Sequence, residues 1–242
     1  RANPPEAEMM AAKAAGLRVI TAATVTGTKG RLRVSSVGIA SGLGEAEWLA
    51  CDALLMSGGW TPSVHLYSQS RGKVVWHEDR GMFLPGKSVQ AERSAGACKG
   101  VFALCDVLAE GHRAGAEASG ITGEKAFAVA GDAGISGGTM GRLPWRAGSK
   151  GKAFVDFQND VKAEDIELAV QEGMRSIEHV KRYTTTGMAT DQGKTSNLNA
   201  LAIAAGKLGK SIPEVGLTTF RQPYTPVSFG AFAGANRGDL FD

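Results

Sequence analysis

The chain has 242 residues, 43% of them hydrophobic and 21% charged, an ordinary composition for a globular protein with one or two cores. Its net charge of +3 comes from scattered basic residues and forms no stripe or patch that would suit nucleic acid. No apolar run approaches the roughly 18 residues of a membrane span, and Arg1-Ala2-Asn3-Pro4-Pro5 carries neither an initiating Met nor a signal-peptide core, so the chain is expected to begin within a longer sequence or after processing.

Residues 6–15 are strong helix formers, and Gly16 is placed to cap them. Residues 17–25, apolar and β-branched, predict a strand. Gly27-Thr28-Lys29-Gly30 predicts a turn, and residues 31–39 alternate again, with Leu32, Val34 and Val37 apolar. After the turn Gly42-Leu43-Gly44, Ala53-Leu54-Leu55-Met56 predicts a buried strand closed by Ser57-Gly58-Gly59-Trp60. A helix, a strand, a short antiparallel meander and an apolar strand ending in Gly-Gly form the pattern of two-dinucleotide-fold proteins. Here the pattern predicts the second half of such a unit, with its sheet unfinished. Residues 61–96 predict no regular element. Residues 98–118 predict a helix with Val101, Leu104, Cys105 and Leu108 on one face, and with Gly111 and Gly115 admitting another backbone. A short strand is expected over 127–130, followed by a Gly-rich linker over 131–152 that contains Pro144.

A compact segment follows. Its expected helices cover 163–172 (Ile166 and Val170 on one face, Gly173 as stop), 176–184 (Ser176 as N-cap) and 196–205, with a polar loop over 185–195. Residues 212–242 read as irregular and end as if another domain were about to begin. Cys51, Cys98 and Cys105 are a poor number for a disulfide framework and point to a reducing, cytoplasmic compartment. On one helix, Cys98 and Cys105 would lie about 10 Å apart, beyond the roughly 7 Å of a bridge, so both are expected to be buried small hydrophobes.

Two Gly-containing stretches invite a nucleotide reading. Gly131-Asp-Ala-Gly-Ile-Ser-Gly-Gly-Thr-Met-Gly141 lacks the G-x-G-x-x-G spacing, and Pro144 prevents a helix from following promptly, so it reads as linker. Gly193-Lys194-Thr195-Ser196 looks like the end of a P-loop, but Met188 stands where that motif needs Gly, and no strand precedes it. The local physics remains. Lys194, Thr195 and Ser196 sit where a helix N-terminus offers free N–H groups, and Lys181, Arg182, Thr184, Thr185 and Thr186 end the helix before it. The segment reads either as an anion site, phosphate above all, or as ordinary helix-end charge with solvated loop polars. His65, His77, His112 and His179 have no metal-pair spacing, and no nucleophile–base set is evident, so no catalytic and no metal residue is assigned.

Ala153-Phe-Val-Asp-Phe-Gln-Asn-Asp-Val161 and Ser176-Ile-Glu-His-Val-Lys-Arg-Tyr-Thr-Thr-Thr-Gly-Met-Ala-Thr-Asp-Gln-Gly-Lys-Thr-Ser-Asn197 closely resemble the alpha subunits of heterotetrameric sarcosine oxidases. Gly216-Leu-Thr-Thr-Phe-Arg-Gln-Pro-Tyr-Thr-Pro-Val-Ser-Phe-Gly230 resembles the entry to their aminomethyltransferase-like, folate-binding domain. Cys51-Asp-Ala-Leu-Leu-Met-Ser-Gly-Gly-Trp-Thr-Pro62 resembles the end of their NAD-binding domain. The compact segment also looks like the 2Fe–2S module of bacterioferritin-associated ferredoxin type found in related amine- and opine-oxidising subunits. Asp156, Gln158, Asp191 and Ser196 stand here at its four Cys positions, so no iron–sulfur cluster is expected.

The resemblance implies an α/β fold. It divides into a partial NAD-binding domain of the two-dinucleotide type (1–130), a linker (131–152), a small helical cluster-less ferredoxin-like domain (153–208), and a linker with the start of an aminomethyltransferase-like domain (209–242). It implies an internal piece of the alpha subunit, inactive alone, that assembles with beta, gamma and delta subunits. In that family FAD on the beta subunit oxidises sarcosine, electrons pass through a shared FMN to oxygen, and tetrahydrofolate takes the one-carbon unit. The expected FMN-phosphate contacts are Lys181, Arg182, Thr184, Thr185, Thr186, Gln192, Gly193, Lys194 and Thr195. Ser57, Gly58 and Gly59 are candidates for residual NAD contacts, weak or lost without an upstream fingerprint. N-methylglutamate, opine or proline dehydrogenase alpha subunits, or a cofactor-free scaffold, are the alternatives.

Overall fold

A computed structural model describes residues 6–41, 44–130, 151–222 and 224–236. The expected Gly-rich loop at 131–141, most of the linker, Gly42, Leu43, Pro223 and the last six residues lie outside these. The chain divides into two compact units, Arg1–Gly58 with Gly141–Gly151, and Gly59–Met140 with Lys152–Asp242.

In the first unit, α1 spans Glu6–Ala14. Gly16, at φ 71°, closes it: its N–H reaches the Lys13 carbonyl, and that of Leu17 reaches Ala12. This paired closure needs a left-handed residue, which glycine supplies without strain. Strands β1 (Ala23–Gly30), β2 (Val34–Ser41) and β3 (Glu47–Ala50) form an antiparallel meander in that order. The meander was expected, but its first turn was not correctly placed. Gly27–Gly30 belongs to β1, opposite Gly38, Val37, Ser36 and Val34, and the chain reverses instead over 31–33, where Leu32 is 98% exposed. A bulge between Val25 and Gly27 lets the strand continue through the glycine. Gly38 is required by packing, since a Cβ there would lie 3.2 Å from the Trp48 ring opposite. The expected strand over 53–56 is a correction too: these residues are extended without ladder partners, and Leu55 is 90% exposed. A strand exists only where a neighbour takes its N–H and C=O groups, and no described segment does so here.

The second unit begins with α2 (His65–Gln69), then the hairpin β4 (Val74–His77) and β5 (Met82–Pro85), where no regular element was expected. Two β-rich tetrads around Glu78-Asp79-Arg80-Gly81, with Gly81 left-handed, were the overlooked signal. Tyr67 fixes α2 to this hairpin: its hydroxyl donates to the Lys73 and Lys87 carbonyls at 3.3 and 2.9 Å, over the bare Cα of Gly72. The next helix, α3, runs Leu104–Ser119 rather than from Cys98, which lies in a 3₁₀ turn at Gly96–Lys99. Its inward residue is Glu110, and the expected apolar face is only partly covered: Leu104 and Leu108 are exposed, Val101 and Cys105 half-buried. Glu110 accepts from Gly96 N (2.8 Å) and Lys99 Nζ (2.7 Å). Burial raises the Glu110 pKa, but these two bonds outweigh it and hold the carboxyl below its ordinary value. Cys98 and Cys105 are half-buried rather than enclosed. Among the described residues nothing packs within 4 Å of where a Cβ would be at Gly111 or Gly115, and residues 127–130 form no strand.

The remaining segment is a hairpin, β6 (Phe154–Asp156) with β7 (Val161–Lys162), and three helices close to their expected bounds: α4 (Ala163–Gln171), α5 (Ile177–Thr184) and α6 (Asn197–Leu208). Their core is Val155, Val161, Ile166, Ala169, Val180, Ala200, Leu201 and Ala204, all buried at helical or alternating spacing. Small residues on α6 let α4 pack closely against it. Residues 212–236, expected to be irregular, include two short helices, α7 (Ile212–Val215) and α8 (Phe229–Ala233).

Candidate functional site

The loop between α5 and α6 is shaped from three sides. The first is the β6–β7 turn. Asp156, at 2% exposure, accepts Gln158 N and Asn159 N at 3.0 and 3.2 Å through one oxygen and Gly187 N at 2.7 Å through the other. Gln158 Oε1 accepts from the Thr190 hydroxyl (3.0 Å), and Asn159 Nδ2 donates to the Thr185 carbonyl (3.0 Å). The second is Asp191 within the loop, whose oxygens accept Gly193 N (3.0 Å) and the Thr195 hydroxyl (3.1 Å). The third is Asn197, the first residue of α6, packed on two bare Cα atoms: a Cβ at Gly187 or Gly193 would fall 2.3 or 2.0 Å from its Oδ1. The two arms of the loop therefore run side by side.

This geometry separates the residues expected to surround one anion. Lys181 and Arg182 are about 100° apart around α5. Lys181 is buried and reaches back to the Thr219 carbonyl (3.4 Å). Burial lowers its pKa, Arg182 and Arg221 push the same way, and Glu178 opposes them. Arg182 is exposed and lies along Glu178 Oε2 at 3.4 Å. Thr184 donates to the Val180 carbonyl (2.8 Å), and the Thr186 hydroxyl is enclosed without a partner among the described residues. Gln192 is left-handed at φ 50°, and its side chain donates to the Ala189 carbonyl (3.0 Å). Lys194 Nζ donates to the carbonyls of Asp191 and Tyr224 and lies 4.2 Å from the Tyr224 ring centre. The hydroxyl of Ser196, the α6 N-cap, is buried without a partner among the described residues.

What remains outward is a rim of Arg182, Tyr183, Thr185, Met188, Thr190 and Thr195 with half-buried Lys194. Thr185 holds a left-handed backbone, φ 64°, which a β-branched residue adopts only at a cost. Beside the rim lies a depression of about 230 Å³ lined by Asn159, Asp160, Val161, Asp165, Leu168, Tyr183 and Thr184. It is smaller than the clefts that enclose whole cofactors. Ser57, Gly58 and Gly59 are exposed coil, divided between the two units. Three histidines are exposed; the fourth, His65, is buried against the loop, with which its sequence position gave no reason to connect it. Asp156 entered the sequence reading only through the resemblance, at a position where related modules carry Cys, and the three N–H groups it accepts were not legible. Among the described residues no group of three or more His, Cys, Asp or Glu could hold a metal ion. Asp156, Gln158, Asp191 and Ser196 carry oxygen and no thiolate, and the first three spend that oxygen on loop donors.

Residues 150–236 match the family model of the sarcosine oxidase A3 domain. Over 233 residues, 93% of the chain, the sequence is 44% identical to "Sarcosine oxidase subunit alpha" of Rhizobium meliloti (strain 1021) and covers 23% of that protein. It is 38% identical over 244 residues to the protein of the same name in Corynebacterium sp. (strain P-1), covering 25% of it. The chain thus spans about a quarter of the length of these curated relatives, and the resemblance read from its motifs is borne out along nearly all of it. The crystal structure of L-proline dehydrogenase from P. horikoshii superposes with a TM-score of 0.65 at 17% identity, over 94% of this chain and 48% of that one, which relates the mixed α/β folds alone.

Proposed function

We propose that this chain is part of the alpha subunit of a flavin-dependent amine oxidase acting on sarcosine, and that the rim of the 185–196 loop meets the phosphate of a flavin shared with the beta subunit. The observation that carries the reading is the 44% identity along 93% of the chain to a sarcosine oxidase alpha subunit, joined to a loop whose shape is fixed from below while Arg182, Thr185, Thr190 and Thr195 stay exposed on its rim. Arg182, Lys194, Thr185 and Thr195 would contact the phosphate, the two threonine hydroxyls by rotating away from the Thr184 carbonyl and the Asp191 carboxylate that accept from them in the free loop. Lys194 has a third N–H beyond its two carbonyl partners, and charge-assisted bonds of this kind contribute about 1.5–3 kcal/mol each. Lys181, Thr184, Thr186, Gln192 and Gly193 shape the loop rather than touch the anion, because their groups are buried or turned inward. When bound, the flavin, an FMN in this reading, supplies the electron relay from an FAD on the beta subunit to oxygen. This chain orients it and contributes no catalytic group.

The same reading assigns residues 1–130 to the end of an NAD-binding domain, with Ser57, Gly58 and Gly59 near its ligand, and residues 153–208 to a ferredoxin-like module without a cluster. Residues 209–242 then lead into a folate-binding domain that receives the one-carbon unit, and the complex includes beta, gamma and delta subunits in the cytoplasm. Among the described residues no helix is long and apolar enough to cross a membrane. The second reading, an alpha subunit of a proline dehydrogenase, is favoured only by the shared fold. Oxygen uptake by the complex assembled from the full reading frame separates the two: turnover with sarcosine and not proline is expected, and the reverse would overturn the assignment.

A further inference from the structure

His65 is 4% exposed and sits where three parts of the second unit meet. Its Nε2 lies 2.9 Å from the Gln192 carbonyl, which can only accept, so Nε2 carries a hydrogen. Its Nδ1 lies 3.3 Å from the Ser63 hydroxyl, itself 3.3 Å from the Tyr224 hydroxyl. In a neutral ring Nδ1 is therefore the acceptor of the Ser63 proton. The ring stacks on Phe220 at 3.7 Å and meets the edge of Tyr224 at 5.9 Å. Gln192, the residue whose carbonyl it holds, is the left-handed residue where the loop turns toward α6, and Asn197 Nδ2 donates to the same carbonyl at 3.3 Å.

We infer that neutral His65 is a positioning residue for the 185–196 loop, a latch joining α2 and residues 218–224 to the Gln192 carbonyl that opens when the imidazole takes a second proton. That proton has no acceptor unless Ser63 reverses, and it would sit among cations. Lys194 from the loop and Lys181 from α5 face His65 and oppose charging, Asp191 favours it, and the residues against it from the 218–224 side, Phe220 and Tyr224, carry no charge that could compensate. Burial comes first among the causes that hold the ring below its ordinary value, and the Gln192 bond opposes it. The consequence for function rests on the flavin reading of this loop: acid would loosen the phosphate contact from behind, without touching a group on the rim.

Amide hydrogen exchange of residues 185–196 in the intact complex between pH 5 and 8, corrected for intrinsic rates and referenced to α3, tests the latch. The wild type should lose at least tenfold protection in this loop, and not in α3, as pH falls through the range. His65→Gln keeps a donor for Gln192 and cannot charge, so its loop protection should be flat with pH. His65→Phe keeps the stack without the donor and should show lowered loop protection at every pH, with no acid step. Uniform wild-type protection, or a His65→Gln profile that follows the wild type, would overturn the inference. The wild-type arm decides even where a variant fails to assemble. Flavin content measured on the same samples separates the two claims: a loop that opens in acid while flavin stays bound supports the latch and counts against the flavin reading.

Discussion

Replacing Asp156 with Ala would remove the acceptor of three backbone N–H groups at once. The N–H groups of Gln158 and Asn159 lie on an exposed turn and can be rehydrated, so each loss costs about 0.5–1 kcal/mol. Gly187 N is buried and finds no substitute, at a cost of about 1–3 kcal/mol for an orphaned donor. The sum is about 3 kcal/mol against a total stability of about 5–15, equivalent to about 6–12 °C in Tm for a chain of this size. Asp156→Asn should fall between, because one oxygen remains while the amide opposes whichever N–H it faces. Differential scanning calorimetry of the full chain in its complex reads both values. A melting temperature for Asp156→Ala within 1 °C of wild type would refute the view that this carboxylate holds the loop to the hairpin.

Three further outcomes follow from the same geometry. Gly193→Ala should destabilise by about 2–4 kcal/mol, combining a left-handed alanine with a clash on Asn197. Urea unfolding of Gly193→Ala with Asn197→Ala should recover the clash but not the backbone strain, and full additivity would exclude the contact. Glu110 is held below its ordinary pKa, so its stabilisation is complete above the unfolded value near 4.5 and is lost as pH falls through the lower folded value. Glu110→Gln should flatten acid unfolding there, and an unchanged profile would remove Glu110 from the account. Iron and acid-labile sulfide assays on the purified complex should find less than one equivalent of each per chain, and stoichiometric iron would contradict the reading of the oxygen-bearing positions.

The sequence was most legible where burial imposes a period. Buried Ile166, Ala169, Val180, Leu201 and Ala204 underlie α4, α5 and α6, which fall within one residue of their expected bounds except that α6 runs three residues further. It was least legible where an element depends on a distant partner. The 53–56 run has the composition of a buried strand and no described neighbour to pair with, and α3 turns Glu110 inward because Gly96 and Lys99 wait there. The candidate site was half readable. Its hydroxyl and basic residues were evident, but Lys181 and Arg182, adjacent in sequence, leave α5 in different directions, and Lys194 is drawn to the Tyr224 carbonyl. The Lys181 and Lys194 contacts fall on Thr219 and Tyr224, thirty or more positions away, where no local pattern shows them, whereas the Arg182–Glu178 pair is an i,i+4 contact within α5. His65, more than a hundred residues from the loop it holds, gave no signal at all.

The flavin-phosphate rim is tested most directly by the flavin content of the purified complex bearing Arg182→Ala and Thr185→Ala, both exposed positions whose loss leaves the core intact. Two lost contacts of about 1.5–3 kcal/mol each should weaken flavin retention by at least a hundredfold on dialysis, with the complex still assembled and its melting temperature nearly unchanged. Full flavin occupancy and undiminished sarcosine turnover in that variant would contradict the account.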